Sequence, residues 1–293
     1  MGAIELTIAP RRRAVGAGEV LRLLPWRGRR TVGPFIFCDL MGPEALAPGA
    51  AIDIDAHPHI GLATVSYLFE GRMVHRDSTG AVQTIEPGAI NWMTAGAAVA
   101  HTERSAPDDR SRRRDHHGVQ TWVALPDGAE DGPAAFAHHP AADLPTESFG
   151  GASVRLLVGS SWGLHSPVQV ASETLLAEID LGRTGSVGTG SVAIDDASAE
   201  RAVLAIDGDL SLGGELLPHA HLAVLAPGTR PELTGRGRAI VLGGAPVGRR
   251  YIWWNFVHSD QEVIEHAAAA WMAQDWPQIP GDMIPWIPAP PRT

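Results

Sequence analysis

Thr64-Val65-Ser66-Tyr67-Leu68-Phe69-Glu70-Gly71-Arg72-Met73-Val74-His75-Arg76-Asp77-Ser78-Thr79-Gly80 decides the fold of this chain. Residues 64–69 alternate, Glu70-Gly71 turns, residues 73–76 run back, and Ser78-Thr79-Gly80 turns again. The rhythm continues through residues 82–85, the turn Glu86-Pro87-Gly88, residues 90–93 and Ala95-Gly96. Short strands separated by Gly and Pro turns predict an antiparallel sandwich or jelly-roll barrel. In the returning strand Arg72 and Arg76 share one face, which leaves Met73 and His75 on the other, the expected barrel interior. Met73 is therefore a candidate for the wall of a substrate pocket. His75 is open to two readings: a further ligand or proton relay, or an internal histidine satisfied by a neighbouring hydrogen bond.

A pair of possible metal ligands stands at each end of this strand series. His57-Pro58-His59 precedes it and His101-Thr102-Glu103 closes it. Residues i and i+2 of a strand point to one face, so each pair can aim two donors at a single ion. Three imidazoles and one carboxylate suit iron, manganese, copper, nickel or zinc, and leave open positions on an octahedral ion.

Further along, residues 154–158, 175–179, 202–206, 222–225 and 239–242 read as a second strand series and so a second barrel. The segment 127–151, rich in Ala, Pro, Asp and Gly, is the natural linker. This divides the chain into a metal-binding domain over 1–140 and a second barrel over 141–293. His219-Ala220-His221 lacks an H-x-E partner in the strands that follow and is weak as a metal site. Ser259-Asp260-Gln261-Glu262 has the capping-box form, with Ser259 as cap, ahead of Ile264, Ala267, Ala268 and Trp271 at helical spacing. That helix is expected to dock on a barrel. The proline-rich residues 277–291 are expected to wrap the surface.

A length of 293 residues with 44% hydrophobic content leaves room for two cores. The net charge of -10 argues against a direct nucleic-acid surface. The arginine clusters at 11–13 and 112–114 read as solvated loop. The 23 basic residues are all arginine, which excludes Schiff-base chemistry on lysine and a P-loop lysine, and the Arg, Ala and Gly bias suggests a GC-rich bacterial genome. One cysteine, Cys38, rules out an intrachain disulfide and thiolate-rich metal sites and fits a reducing cytoplasm. Neither a secretory signal nor a membrane span is indicated, so a cytoplasmic protein is expected.

The runs His57-Pro58-His59-Ile60-Gly61-Leu62-Ala63-Thr64-Val65, His75-Arg76-Asp77-Ser78 and Asn91-Trp92-Met93-Thr94-Ala95-Gly96 resemble the pirin family of the cupin superfamily. So do residues 32–37, Gly118-Val119-Gln120-Thr121-Trp122-Val123-Ala124-Leu125-Pro126 and Ile252-Trp253-Trp254-Asn255-Phe256-Val257. The resemblance implies an all-β bicupin whose N-terminal barrel binds ferrous iron, or another divalent transition metal, through His57, His59, His101 and Glu103, and whose C-terminal barrel has lost its metal. It further implies two alternative functions, beside a third reading without catalysis. One is a quercetin 2,3-dioxygenase, taking a flavonol and O2, opening the ring with release of carbon monoxide, with Glu103 as the carboxylate that accepts the substrate proton. The other is a non-catalytic, iron-dependent redox sensor that binds a regulatory protein partner, with the polar insert 107–117 gating substrate or meeting that partner. A metal-stabilised protein without catalysis is a third. The family pattern H-P-H-R-G-F-E-T has a carboxylate where this chain has Ala63, so a general-base role falls to Glu103 or a metal-bound species.

Overall fold

The structure, a computed structural model, describes residues 2–16, 18–182 and 190–291. Its strands are antiparallel and fall into two compact units. One unit comprises Met1–Arg12, Leu21–Leu40 and Ala142–Pro246; the other comprises Arg13–Val20, Met41–Ala141 and Val247–Thr293. Each unit is assembled from three segments of the chain, so the units differ from a simple division into 1–140 and 141–293. The reason is pairing: strand Ile4–Ile8 joins Leu222–Leu225 antiparallel, while the C-terminal segment packs onto the strands that carry the histidine pairs.

In the first unit, Ile4–Ile8, Leu222–Leu225, Glu200–Leu212, Glu232–Gly244, Thr174–Asp180, Ala152–Val158 and Thr146–Phe149 follow one another across a sheet. A bulge between Ala205 and Asp207 bends the long central pair. Its core is aliphatic, built on residues such as Leu156, Ile179, Val203 and Val241.

The second unit carries both pairs, His57/His59 and His101/Glu103, on adjacent strands of one sheet, and a second sheet supplies Ser66 and Gln120, which reach Glu103. One sheet orders Asp53–His59, Val99–Ser105, Met73–Asp77 and Val82–Ile85; the other contains Ala135–His139, Ile90–Thr94, Leu62–Glu70 and Arg114–Ala124 in that order. Two elements differ from the expected linker and insert. Within 127–151 the chain forms the strands Ala135–His139, paired with Ile90–Thr94, and Thr146–Phe149, paired with Ala152–Val158. Each is an edge strand with one neighbour, so it needs few of the β-branched residues by which strands are recognised. The insert 107–117 is a short 3-10 turn, Pro107–Asp109, running into the strand that starts at Arg114. Buried Asp109 holds it: Arg72 binds both its carboxylate oxygens at 2.8 and 2.7 Å, Arg112 binds one of them, and Arg114 reaches its carbonyl at 3.1 Å. Arg112, although its side chain stays exposed in the loop, and half-buried Arg114 thus tie the insert down.

The single α-helix among the described residues, Gln261–Met272, is capped by Asp260, which accepts from the Glu262 N–H at 2.8 Å. Ser259, the expected cap, instead binds the buried Glu130 through both its N–H and its hydroxyl. Ile264, Ala267 and Trp271 face inward and, with Phe256, Trp276 and Ile279, cover Ala56, Ile60 and Ala100 on the outer face of the histidine-bearing strands. The proline-rich tail continues this cover: the Ala56 N–H donates to the Pro285 carbonyl and the Ile287 N–H to that of Ala56. Asp282 takes Thr102 at 2.8 Å and Arg104 at 2.7 Å. Pro58 costs no ladder bond here because its strand lies at the sheet edge.

Gly61, two residues beyond His59, has φ +65°, and a Cβ there would stand 1.9 Å from the Val257 carbonyl oxygen. Gly61→Ala combines a left-handed backbone with a backbone clash. A loss of about 2–5 kcal/mol is expected in urea unfolding.

Candidate metal centre

His57 and His59 alternate with Ala56, Pro58 and Ile60 along one strand, so the histidines face inward while their neighbours meet the tryptophan-rich cover. His101 is paired directly with His57 on the adjacent strand. A bulge between His101 and Glu103 lets two residues of the first strand oppose one of the second, which re-aims the strand beside the site. The result is three buried imidazoles whose ligand atoms all lie within 4.8 Å of one another.

The tautomers follow from their partners. The Nδ1 of His57 is 2.8 Å from the Asp55 carbonyl, and that of His59 is 3.2 Å from the Asn255 carbonyl. A carbonyl only accepts, so in both rings Nδ1 carries the proton and Nε2 is left with a lone pair. His59 Nε2 and His101 Nε2 are 3.1 Å apart. Two nitrogens bound at about 2.1 Å to one ion, at about 90°, stand about 3.0 Å apart, so this spacing fits a shared metal. Burial lowers the pKa of His57 and holds those of His59 and His101 well below the ordinary histidine value, with repulsion from His57 adding at the latter two. Neutral imidazole is the form that ligates.

Glu103 faces the same interior, but its carboxylate lies outside the histidine cluster among the described residues. Gln120 Nε2 donates to Oε1 at 2.9 Å and to Oε2 at 3.0 Å, and the Ser66 hydroxyl donates to Oε1 at 3.2 Å. His75 is a satisfied internal histidine: its Nε2 is 2.8 Å from Asp77 Oδ2, and its ring stacks on Phe136 at 4.5 Å. Met73 is buried as the face pattern requires, in an apolar cluster with Leu68, Ile85 and Ala89. His219 is exposed at a turn, where its carbonyl meets the His221 ring.

Position 63 reads differently in three dimensions. The strand Leu62–Glu70 keeps unbroken register with Ile90–Thr94, pairing Ala63 with Thr94 and Ser66 with Asn91. Ala63 therefore stands on the face opposite Ser66, and so opposite the side from which Glu103 is held. Alanine at this position removes no carboxylate from that face.

Ser66, Gln120, Trp122 and Asp77 were within reach of the two-residue strand period, since Gln120 and Trp122 pair with Ser66 and Thr64 on one face. Trp122 stands edge-on to His59 with ring centroids 5.1 Å apart. Asn255 carried no such signal, because a main-chain carbonyl 196 residues away leaves no trace in residue type.

Residues 17–123 match the pirin family and residues 188–276 match the pirin C-terminal cupin domain. A pirin-like protein of Caulobacter vibrioides is 41% identical over 92% of this chain and 93% of its own length. The chain belongs to the pirin family. A second relative, from Pseudomonas aeruginosa and named provisionally as a quercetin 2,3-dioxygenase, is 36% identical over 95% of this chain and 90% of its own length. Among solved structures, the quercetin 2,3-dioxygenase of Acinetobacter baumannii is similar at a TM-score of 0.89 and 30% identity, covering 98% of this chain and 95% of that one. The pirin bicupin architecture is thus the architecture of this chain, with all three clustered histidines in its N-terminal match. No helix among the described residues is long and apolar enough to cross a membrane.

Proposed function

We propose that this pirin is a ferrous-iron dioxygenase of the quercetin 2,3-dioxygenase type, its metal held by His57, His59, His101 and Glu103. The observation that carries the reading is the buried triad, with the Nδ1 atoms of His57 and His59 tied to carbonyls and Nε2 atoms converging. The relatives named for this activity supply the substrate class, a flavonol with O2. Bound there, ferrous iron supplies Lewis acidity toward a flavonol hydroxyl and the redox chemistry that dioxygen requires. The protein's part is positioning and proton transfer. Glu103 Oε1 is engaged by both Ser66 and Gln120, whereas among the described residues Oε2 meets only the Gln120 amide and keeps lone pairs to bind or to take the hydroxyl proton. Rings of Trp122 and Phe136 back His59 and His75, and both histidines are buried.

The test is anaerobic reconstitution with ferrous iron, metal quantified, followed by oxygen uptake and quercetin loss. The two are expected to match and to require iron. Glu103→Gln should retain iron and lose about 10²-fold or more in turnover; unaltered turnover would end the proton-acceptor role. Fully loaded protein inert toward quercetin would overturn the dioxygenase reading in favour of a metal-dependent binding protein.

A further inference from the structure

Behind His101 runs a line of buried groups that the proposed chemistry does not use. Strand pairing sets Asp77 opposite His101 and His75 opposite Glu103. His101 Nδ1 lies 3.4 Å from His75 Nδ1, and His75 Nε2 lies 2.8 Å from Asp77 Oδ2. Asp77 is fully buried. Its other oxygen, Oδ1, accepts from the Thr79 N–H at 2.8 Å, the Thr79 hydroxyl at 2.6 Å and the Ala81 N–H at 3.3 Å. Burial raises the carboxyl's pKa, but the bonds from His75 and Thr79 outweigh it and hold the group below its ordinary value.

Proton positions follow by elimination. A ligating His101 gives its Nε2 lone pair to the metal, so its proton sits on Nδ1. His75 Nδ1 faces that proton and accepts it, which leaves the proton of His75 on Nε2, where Asp77 Oδ2 receives it. We infer that Asp77 is a positioning residue for the metal ligand His101, acting through His75: fixed donors lock the carboxylate, the carboxylate locks the His75 tautomer, and His75 accepts the Nδ1–H of His101. This rests on reading His57, His59 and His101 as metal ligands.

Asp77→Asn tests it with almost no change of shape. The two N–H groups and the hydroxyl at Oδ1 demand an oxygen, so the new NH2 takes the Oδ2 place and donates to His75 Nε2. The His75 proton then moves to Nδ1 and points at the Nδ1–H of His101. Two donors face each other. Metal dissociation constants, measured for ferrous iron and for zinc by competition with a chromophoric chelator, are expected to rise about 10–100-fold. In metal-free protein, imidazole 15N NMR should show His75 protonated on Nε2 in the wild type and on Nδ1 in Asp77→Asn, a change that a merely structural role would not produce. His75→Phe, which keeps a ring against Phe136, should weaken metal binding comparably. Adding Asp77→Asn to it should then cost little more, because the route is already cut.

Wild-type His75 protonated on Nδ1 overturns the inference, whatever the variants do. So does Asp77→Asn with metal affinity within about twofold of wild type, or an undiminished effect of Asp77→Asn in the His75→Phe background. Wild-type protein that holds no metal overturns the ligand assignment and this inference together. Wild type that binds while Asp77→Asn is unchanged overturns this inference alone.

Discussion

A chain ending at Pro246 is expected to hold no metal and to lose the fixed side-chain environment of the unit that carries the histidine triad. That unit counts Val247–Thr293 among its own residues. Removing them strips the Asn255 carbonyl from His59 Nδ1, which frees that ring to turn. It also bares Ala56, Ile60 and Ala100, now at most 1% exposed, and deletes Phe256, Ile264, Trp271 and Trp276. Burial of each such large side chain is worth about 1.5–3 kcal/mol. Losing four of them removes about 6–12 kcal/mol, as much as the whole net stability of a typical domain. Arg104 further loses Asp282, its partner at 2.7 Å. The measurement is metal content per chain alongside near-ultraviolet circular dichroism, compared with the full chain. The spectrum loses five tryptophans in any case, so truncated protein with full metal content that keeps a defined near-ultraviolet signal from the remaining aromatic residues would sink the idea. Residues 1–140 alone should fail likewise, since they too lack the cover and the Asn255 carbonyl.

The period-two pattern made much of this molecule legible. It located the strands around His57, His59, His75 and His101 and put those histidines on interior faces, because alternation is imposed by the backbone itself. Helical spacing found Ile264, Ala267 and Trp271 for the same reason. What stayed hidden depends on choices between near-equal local options or on distant chain. Ser259 and Asp260 are both good caps, and the buried Glu130 decided between them by claiming Ser259. Edge strands such as Ala135–His139 form on a template already present in Ile90–Thr94, so their own composition says little. The face of Ala63 was available from parity with Ser66, yet only the register with Ile90–Thr94 shows the parity unbroken. The crossing of both chain ends between units, and with it the carbonyl that orients His59, is a property of tertiary pairing alone.

Metal-free protein is expected to be stable and insensitive to pH between 8 and 7, and to lose stability steeply as the pH falls below about 6.5. Burial lowers the pKa of His57, His59 and His101, and pushes that of His116 from 6.5 to about 4, with the nearby Arg114 charge contributing. Above the ordinary value these rings are neutral in folded and unfolded chains alike, so they contribute no pH dependence. Below it the unfolded chain binds protons that the folded chain refuses, and stability falls as pH falls. Each ring contributes at most about 1.4 kcal/mol per pH unit. For His116 the loss runs down to about pH 4 and then stops, since both states are protonated there. Urea midpoints of chelator-treated protein across this range measure the effect. Bound metal should move the onset to lower pH, because it binds the folded chain and competes with protons for the same Nε2 lone pairs. A midpoint that stays flat down to pH 5 would mean that all four imidazoles, His116 included, accept protons in place, and burial would not be holding His57, His59 and His101 neutral for a metal.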